Sequence, residues 1–369
     1  MLDAIQTTSR AGIPRYDYKE TMAASERVNW AIEDIIGGDK KLDFAKPFLP
    51  ESLARVSGLD FLNDEEKKVL NQIRGHAYLS ICGLGEEFIL PFVLDHVRPT
   101  LDQDDYRVRA FLQFAGEEAK HIQLFKRFSS EFQENFGTEC KVIGPPSEVA
   151  KAVLSHQPLA VALVILHIEW MTQRHYIDSI RDDQQLDAQF KSLLKHHWLE
   201  EAQHAKLDTM MVEAIADGMT AEEIEKAVDE YLEIGGFLDT GVRQQTLFDL
   251  EAFEAATGRV LNEDERERFI EVQHQANRWT YIGTGITHPK FLDTVGALNA
   301  DQKTRLEEVG PVARLEPVLG EAVGHGHPEA VVADRDEGGL LEPGLVVSRR
   351  QRHLELAQRS TPDLPRIHR

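Results

Sequence analysis

Six residues constrain this chain more than any other feature. Glu86, Glu118 and His121 recur as Glu169, Glu201 and His204 at a constant offset of 83 residues. In each set a lone glutamate stands 32 residues ahead of a Glu-x-x-His unit. On a helix, positions three apart share one face, so each unit offers a carboxylate and an imidazole side by side. The turn near Pro99 lies about 13 residues beyond Glu86, roughly 20 Å of helix at 1.5 Å per residue. The return to Glu118 is about as long, so the two glutamates meet at one level. The second set does the same around residues 182–185. Two such hairpins imply an antiparallel four-helix bundle with four carboxylates and two imidazoles converging at mid-height.

The helical reading has independent support. Asn63 with Glu66 forms a capping box, and apolar residues then recur at helical spacing to about His96. A second helix runs from the Asp-Gln-Asp-Asp stretch at 102–105 to about Phe136, and Gly144-Pro145-Pro146 is a firm break. A third helical region spans Ser147 to about Arg181 with a kink expected at Pro158. A fourth runs to about Ala216 and is closed by Asp217-Gly218. Thr220 with Glu223 and Asn262 with Glu265 cap a fifth and a sixth, and Gly235-Gly236 is expected to interrupt the fifth. No run of alternating β-branched residues occurs in 63–310, so the fold class is all-α. The domain reading is an irregular extension over 1–61, broken by Pro14, Pro47 and Pro50 and wrapping the core. A bundle follows over 62–218, then additional helices packing on it over 219–310, and a loosely ordered tail over 311–369.

Composition narrows the function. Acidic residues outnumber basic ones 63 to 41, for a net charge of −22. So acidic a surface repels phosphate backbones and anionic lipid, so neither a nucleic acid nor a membrane is expected as a partner. The two cysteines, Cys82 and Cys140, form no C-x-x-C pair, which argues against a disulfide framework or a thiolate metal site and points to a reducing cytoplasm. No targeting segment is read at the N-terminus, and the most apolar stretch, Leu159 to Leu166, is too short to span a membrane. A homodimer is an assembly the chain allows.

A lone Glu-x-x-His is weak evidence. With 37 glutamates and 15 histidines in 369 residues, chance alone gives about 1.5 such units. A third does occur, Glu271 to His274, with Asp239 lying 32 residues ahead of Glu271. It has no fourth partner set, so Glu271 and His274 read as surface residues or as residues of a second layer around the ligands. The common register of the other two units is what chance does not supply. Glu86 and Glu169 also stand in apolar helical surroundings, where a carboxylate is costly unless paired or bound to a cation. The metal-free alternative is a polar core network, which four buried carboxylates would strain by mutual repulsion. Glu87 competes with Glu86, but the offset of 83 pairs Glu86 with Glu169 and Glu87 with Trp170, which cannot ligate.

With these residues the chain resembles the diiron members of the ferritin-like superfamily over about 63–218. The resemblance implies two iron ions bridged by carboxylates and reacting with dioxygen, with manganese or a mixed manganese–iron pair as alternatives. His197 precedes Glu201 by four residues, and its counterpart in the first half is Phe114. A third histidine there is similar to the p-aminobenzoate N-oxygenase family, in which an added histidine ligates the diiron site and an arylamine is oxidised towards the nitro compound. The implied ligands are Glu86, Glu118, His121, Glu169, His197, Glu201 and His204. Both units read Glu-Glu-x-x-His, and in related proteins the extra acid hydrogen-bonds the histidine of the other half. By that resemblance Glu117 orients His204 and Glu200 orients His121, and Asp208, one turn beyond His204, is a candidate for similar work.

The function expected from this resemblance is a diiron monooxygenase acting on a small organic substrate, an amine among the candidates, with the dimetal centre itself as the catalyst. No nicotinamide or flavin fingerprint is present, so electrons come from an external donor. Desaturase or deformylase chemistry, iron storage and peroxide scavenging remain alternatives, as does a metal-free helical scaffold. Radical generation is disfavoured because Phe125 occupies the position where that family places its tyrosine. Phe88, Phe114 and Phe125 read as core or pocket lining. Arg278, Tyr281 and His288 read as packing residues or as contacts to a substrate carboxylate.

Overall fold

The computed structural model describes residues 16–103 and 105–310. The tail at 311–369 and the first fifteen residues lie outside the described residues. Among the described residues the chain is all-α, with no strand and a single isolated bridge between Gly37 and Lys40.

Among the described residues, ten helices of nine residues or more carry the architecture: α1 Tyr18–Val28, α2 Asp64–Val97, α3 Tyr106–Phe136, α4 Pro146–Leu154, α5 Pro158–His175, α6 Ala188–Ala216, α7 Ala221–Thr257, α8 Glu263–Arg278, α9 Pro289–Leu298 and α10 Ala300–Val309. Their ends follow local chemistry. Asn63, Thr220 and Asn262 each close a reciprocal capping box with a glutamate at the third helical position. Asp105 and Asp187 accept from the backbone N–H three residues on. Gly137 and Gly258 end α3 and α7 at φ 82° and 69°, where a side chain would be strained.

Helices α2, α3, α5 and α6 close a ring of pairwise contacts: α2 on α3, α3 on α6, α6 on α5 and α5 on α2. Neighbours run antiparallel. Along α2 and α3, His96 meets Phe111 at one end and His76 meets Phe132 at the other. Along α3 and α6, Glu117 meets His204 and His121 meets Glu200. The core inside the ring is divided. One apolar cluster gathers Leu70, Tyr78, Leu124, Phe128, Phe132 and Leu193. The other gathers Phe88, Val93, Phe111, Leu163 and Met211. Between them lies a layer of buried acids and histidines. Helix α7 packs on α2 and α5, α8 packs on α7, and α1 lies across α3 and α6. By length and composition alone, the stretch Asp64–Thr100 would suffice to cross a membrane. Here its apolar face is spent on neighbouring helices, and it buries Arg74, His76 and Glu86.

Three expectations are corrected. The segment before residue 62 is not wholly irregular: α1 forms in the proline-free interval between Pro14 and Pro47, capped by Asp17. Pro158 does not kink a long helix but opens one. It occupies the first position of α5, where its missing N–H has no helical partner to lose, and Ser155 to Gln157 separate α4 from α5. Gly235-Gly236 does not interrupt α7, which is continuous for 37 residues. Two interior glycines cost about 1 kcal/mol each, less than the buried faces on either side of them return.

Buried histidines, His76 and His175 among them, make stability depend on pH. His76 Nε2 lies 3.0 Å from Ser129 Oγ, and burial brings its pKa down from 6.5 to about 4. His175 accepts from Tyr78 through Nδ1 and donates to Thr284 through Nε2, both at 2.9 Å. Burial brings it from 6.5 to about 3. The unfolded chain therefore binds more protons between the folded values and 6.5, and stability falls as pH falls through that window. The expected loss is on the order of 3 kcal/mol for each buried ring between pH 7.5 and 4. Urea midpoints across that range check it, and a flat profile would contradict it.

Candidate metal centre

Each side chain in the polar layer is placed by helical spacing. Glu118 and His121 lie one turn apart on α3, and His197, Glu201 and His204 follow one face of α6. Glu86 comes from α2 and Glu169 from α5. All are buried, with Glu118, His121, Glu169 and His204 at 0 % exposure.

Two groups of four converge. Glu86, His121, His197 and Glu201 form one, and Glu118, His121, Glu201 and His204 the other. Within each group one ligand atom per residue lies within 4.8 Å of all the others. Glu201 and His121 belong to both, although only one ring nitrogen of His121, Nδ1, faces the groups and can serve a single cation. His121 Nδ1 is 3.0 Å from Glu201 Oε1, and His204 Nδ1 is 2.7 Å from Glu118 Oε1. His197 Nε2 is 3.0 Å from Glu86 Oε1 and equally far from Glu201 Oε1.

The far nitrogens of the two rings settle their tautomers. His121 Nε2 meets Glu200 Oε2, and His204 Nε2 meets Glu117 Oε2, each at 2.8 Å. A carboxylate only accepts, so Nε2 carries the proton in both rings and Nδ1 faces the cluster with a lone pair. That leaves lone pairs aimed at lone pairs. His121 Nδ1, His204 Nδ1, both oxygens of Glu118 and Glu201 Oε1 are buried without a hydrogen-bond partner among the described residues. Only a proton or a cation resolves such an arrangement. Against burial, which favours the neutral ring, the surrounding carboxylates raise His121 and His204 well above the ordinary histidine range. Without a cation the rings therefore take up protons. The donor set of carboxylates and imidazoles suits a divalent transition metal, so the residues present fit a metal.

The other sequence candidates fall as follows. Glu87 turns away and pairs with Lys126 at 3.0 Å, which separates it from Glu86. Glu169 lies against Glu201 but contributes to neither group of four. Burial and the Glu201 carboxylate hold it well above the usual range. Asp208 is buried without a hydrogen-bond partner for either oxygen among the described residues, and burial raises it too. Phe114 stacks on His204 at 4.0 Å between centroids, Phe125 meets His197 edge-on at 5.0 Å, and Phe88 is apolar core. His274 pairs with Asp239 at 2.9 Å, apart from both groups, and Glu271 pairs with Arg268. Arg278, Tyr281 and His288 have separate surroundings: Asp239, the Tyr78 ring and the Trp170 ring.

Sequence reasoning missed what lies behind the outer acids. The Ser25 hydroxyl donates to Glu117 Oε1. Lys120 donates to Glu200 Oε1, and the Trp30 ring stacks over His121 at 6.0 Å and 15°. Ser25 and Trp30 sit more than 80 residues from the units they touch, and no local pattern marks them. Lys120 did carry a signal, as the position where the two five-residue motifs, Glu-Glu-Ala-Lys-His and Glu-Glu-Ala-Gln-His, differ.

Comparison with protein-family models, curated proteins and solved structures finds no match for this chain.

Proposed function

We propose that the chain is a ferritin-like, non-haem diiron oxygenase that uses dioxygen to oxidise a small organic molecule, an amine being the favoured class. One observation carries this reading. Two buried four-residue groups share Glu201 and His121, so that two cations held there would be neighbours bridged by a carboxylate. Iron is favoured over zinc because the set is rich in carboxylates. Manganese or a mixed pair fits the same donors.

Bound iron would supply one-electron chemistry and the activation of dioxygen. The chain's own residues do the rest. Glu117 and Glu200 fix the Nε2 protons of His204 and His121, so both Nδ1 atoms stay available for ligation. His197 adds an imidazole beside Glu86, which tilts the reading towards N-oxygenation. The apolar clusters on either side keep bulk water from the layer. The electrons are assigned to a separate donor, and Glu169, beside Glu201, would supply a further carboxylate to the residues that hold the metal.

The test is isotopic. The iron-loaded, chemically reduced protein is given 4-aminobenzoate under oxygen-18 gas, and the products are weighed by mass spectrometry. Label in an oxidised nitrogen product supports the proposal. Consumption of oxygen in which every electron lost by ferrous iron ends in water, with no labelled organic product from a panel of amines, would replace it with storage or scavenging.

A further inference from the structure

The two halves of the centre are built on one pattern but are not backed alike. Behind His121, the Glu200 carboxylate meets a cation: Lys120 Nζ lies 2.5 Å from Glu200 Oε1, with the lysine largely buried. That ammonium is clamped. It sits 3.9 Å over the Trp30 ring and donates to the Trp30 carbonyl at 3.3 Å. Trp30 is in turn anchored by its indole N–H to the His196 carbonyl at 3.1 Å. Behind His204, the partners of the Glu117 carboxylate among the described residues are neutral donors, the Ser25 hydroxyl and the Gln113 amide at 3.1 Å. The residue in the place of Lys120 is Gln203, which turns to Leu199 and Lys206 instead.

An unneutralised carboxylate on the outer nitrogen makes an imidazole a stronger donor to a metal, and a neighbouring cation cancels that gain. We propose that Lys120 is a positioning residue of the metal centre: its ammonium, held by Trp30 of the N-terminal segment, neutralises Glu200 and loosens the hold of His121 on its cation relative to that of His204. The centre is then unequal by construction, and its two positions fill in order. This inference rests on the metal-centre reading above and assigns the origin of the inequality within it.

The sign of one substitution separates this role from a structural one. Lys120→Met keeps the stem that packs on Trp30 and removes the charge. If Lys120 merely held the helices in place, its loss would loosen both metal positions. If it acts through Glu200, one of the two tightens. The experiment titrates manganese(II) chloride into the full-length, metal-free protein and follows free manganese by its paramagnetic signal. The unaltered protein is expected to show two stepwise affinities. Lys120→Met should bring one of them down in dissociation constant by about tenfold and leave the other in place, while Lys120→Arg restores the original pair. Two bound ions with both affinities unchanged or weakened in Lys120→Met would overturn the inference while leaving the metal centre standing. No uptake by the unaltered protein would remove the centre and the inference together.

Discussion

Glu201→Gln is expected to empty both cation positions at once. Glu201 Oε1 lies 3.0 Å from His121 Nδ1, 3.0 Å from His197 Nε2 and 3.5 Å from His204 Nδ1, so one carboxylate serves every imidazole of the layer. The amide removes the charge and leaves one ligating oxygen where the carboxylate had two. Substitutions one shell further out already cost about 10–100-fold in metal affinity, so the loss here should exceed about 100-fold for both ions. Glu118→Gln touches only the group containing His204 and should affect the two positions unequally. In the metal-free protein, against burial, the His197 and His204 rings hold the Glu201 carboxylate well below its usual range, so its charge contributes to stability. Without metal the unfolding midpoint of Glu201→Gln should therefore fall below that of the unaltered chain. Metal analysis after anaerobic reconstitution reads the first effect and urea unfolding the second. Two ions retained in Glu201→Gln would remove that residue from the centre.

Arg74→Met carries the second large effect, on stability. Arg74 on α2 and Asp249 on α7 are each 1 % exposed, with Arg74 Nη1 3.8 Å from Asp249 Oδ2. Arg74 also donates to the Asn277 side chain and to the Leu53 carbonyl. Burial raises Asp249 to about 6 even with the guanidinium beside it. Removing that guanidinium strands a buried carboxylate and unpairs its neighbours, which costs about 3–5 kcal/mol. Replacing both charges, as Arg74→Met with Asp249→Leu, should recover most of the loss. A double-mutant cycle in urea at pH 7.5 measures the coupling. A cost below about 1 kcal/mol for Arg74→Met would show that the pair does not hold α7 to α2.

The long helices were legible because their signals are local. The Asn63–Glu66 capping box and the apolar spacing after it place α2 within a residue or two of its observed start. The Glu-x-x-His units place their own side chains on one face, since three residues along a helix is a fixed geometry. Where the reading failed, a nearby residue type was weighed without its surroundings. Gly235 and Gly236 look like a break until α7 has neighbours to pack on. Pro158 looks like a kink until three residues before it leave the helix. The supports behind the centre were illegible for another reason. Ser25 and Trp30 reach Glu117 and His121 across some ninety residues of chain, and nothing in their own segment marks them. Glu86 and Glu87 stood side by side, and it took the third dimension to show one facing His197 and the other facing Lys126.

The central claim is that the layer of buried acids and imidazoles exists to hold two divalent ions. The most direct test is the metal content of the chain after anaerobic loading with ferrous iron and removal of the excess, beside that of Glu201→Gln. The account predicts two irons per chain in the first and essentially none in the second. Iron absent from both, or present equally in both, would contradict it.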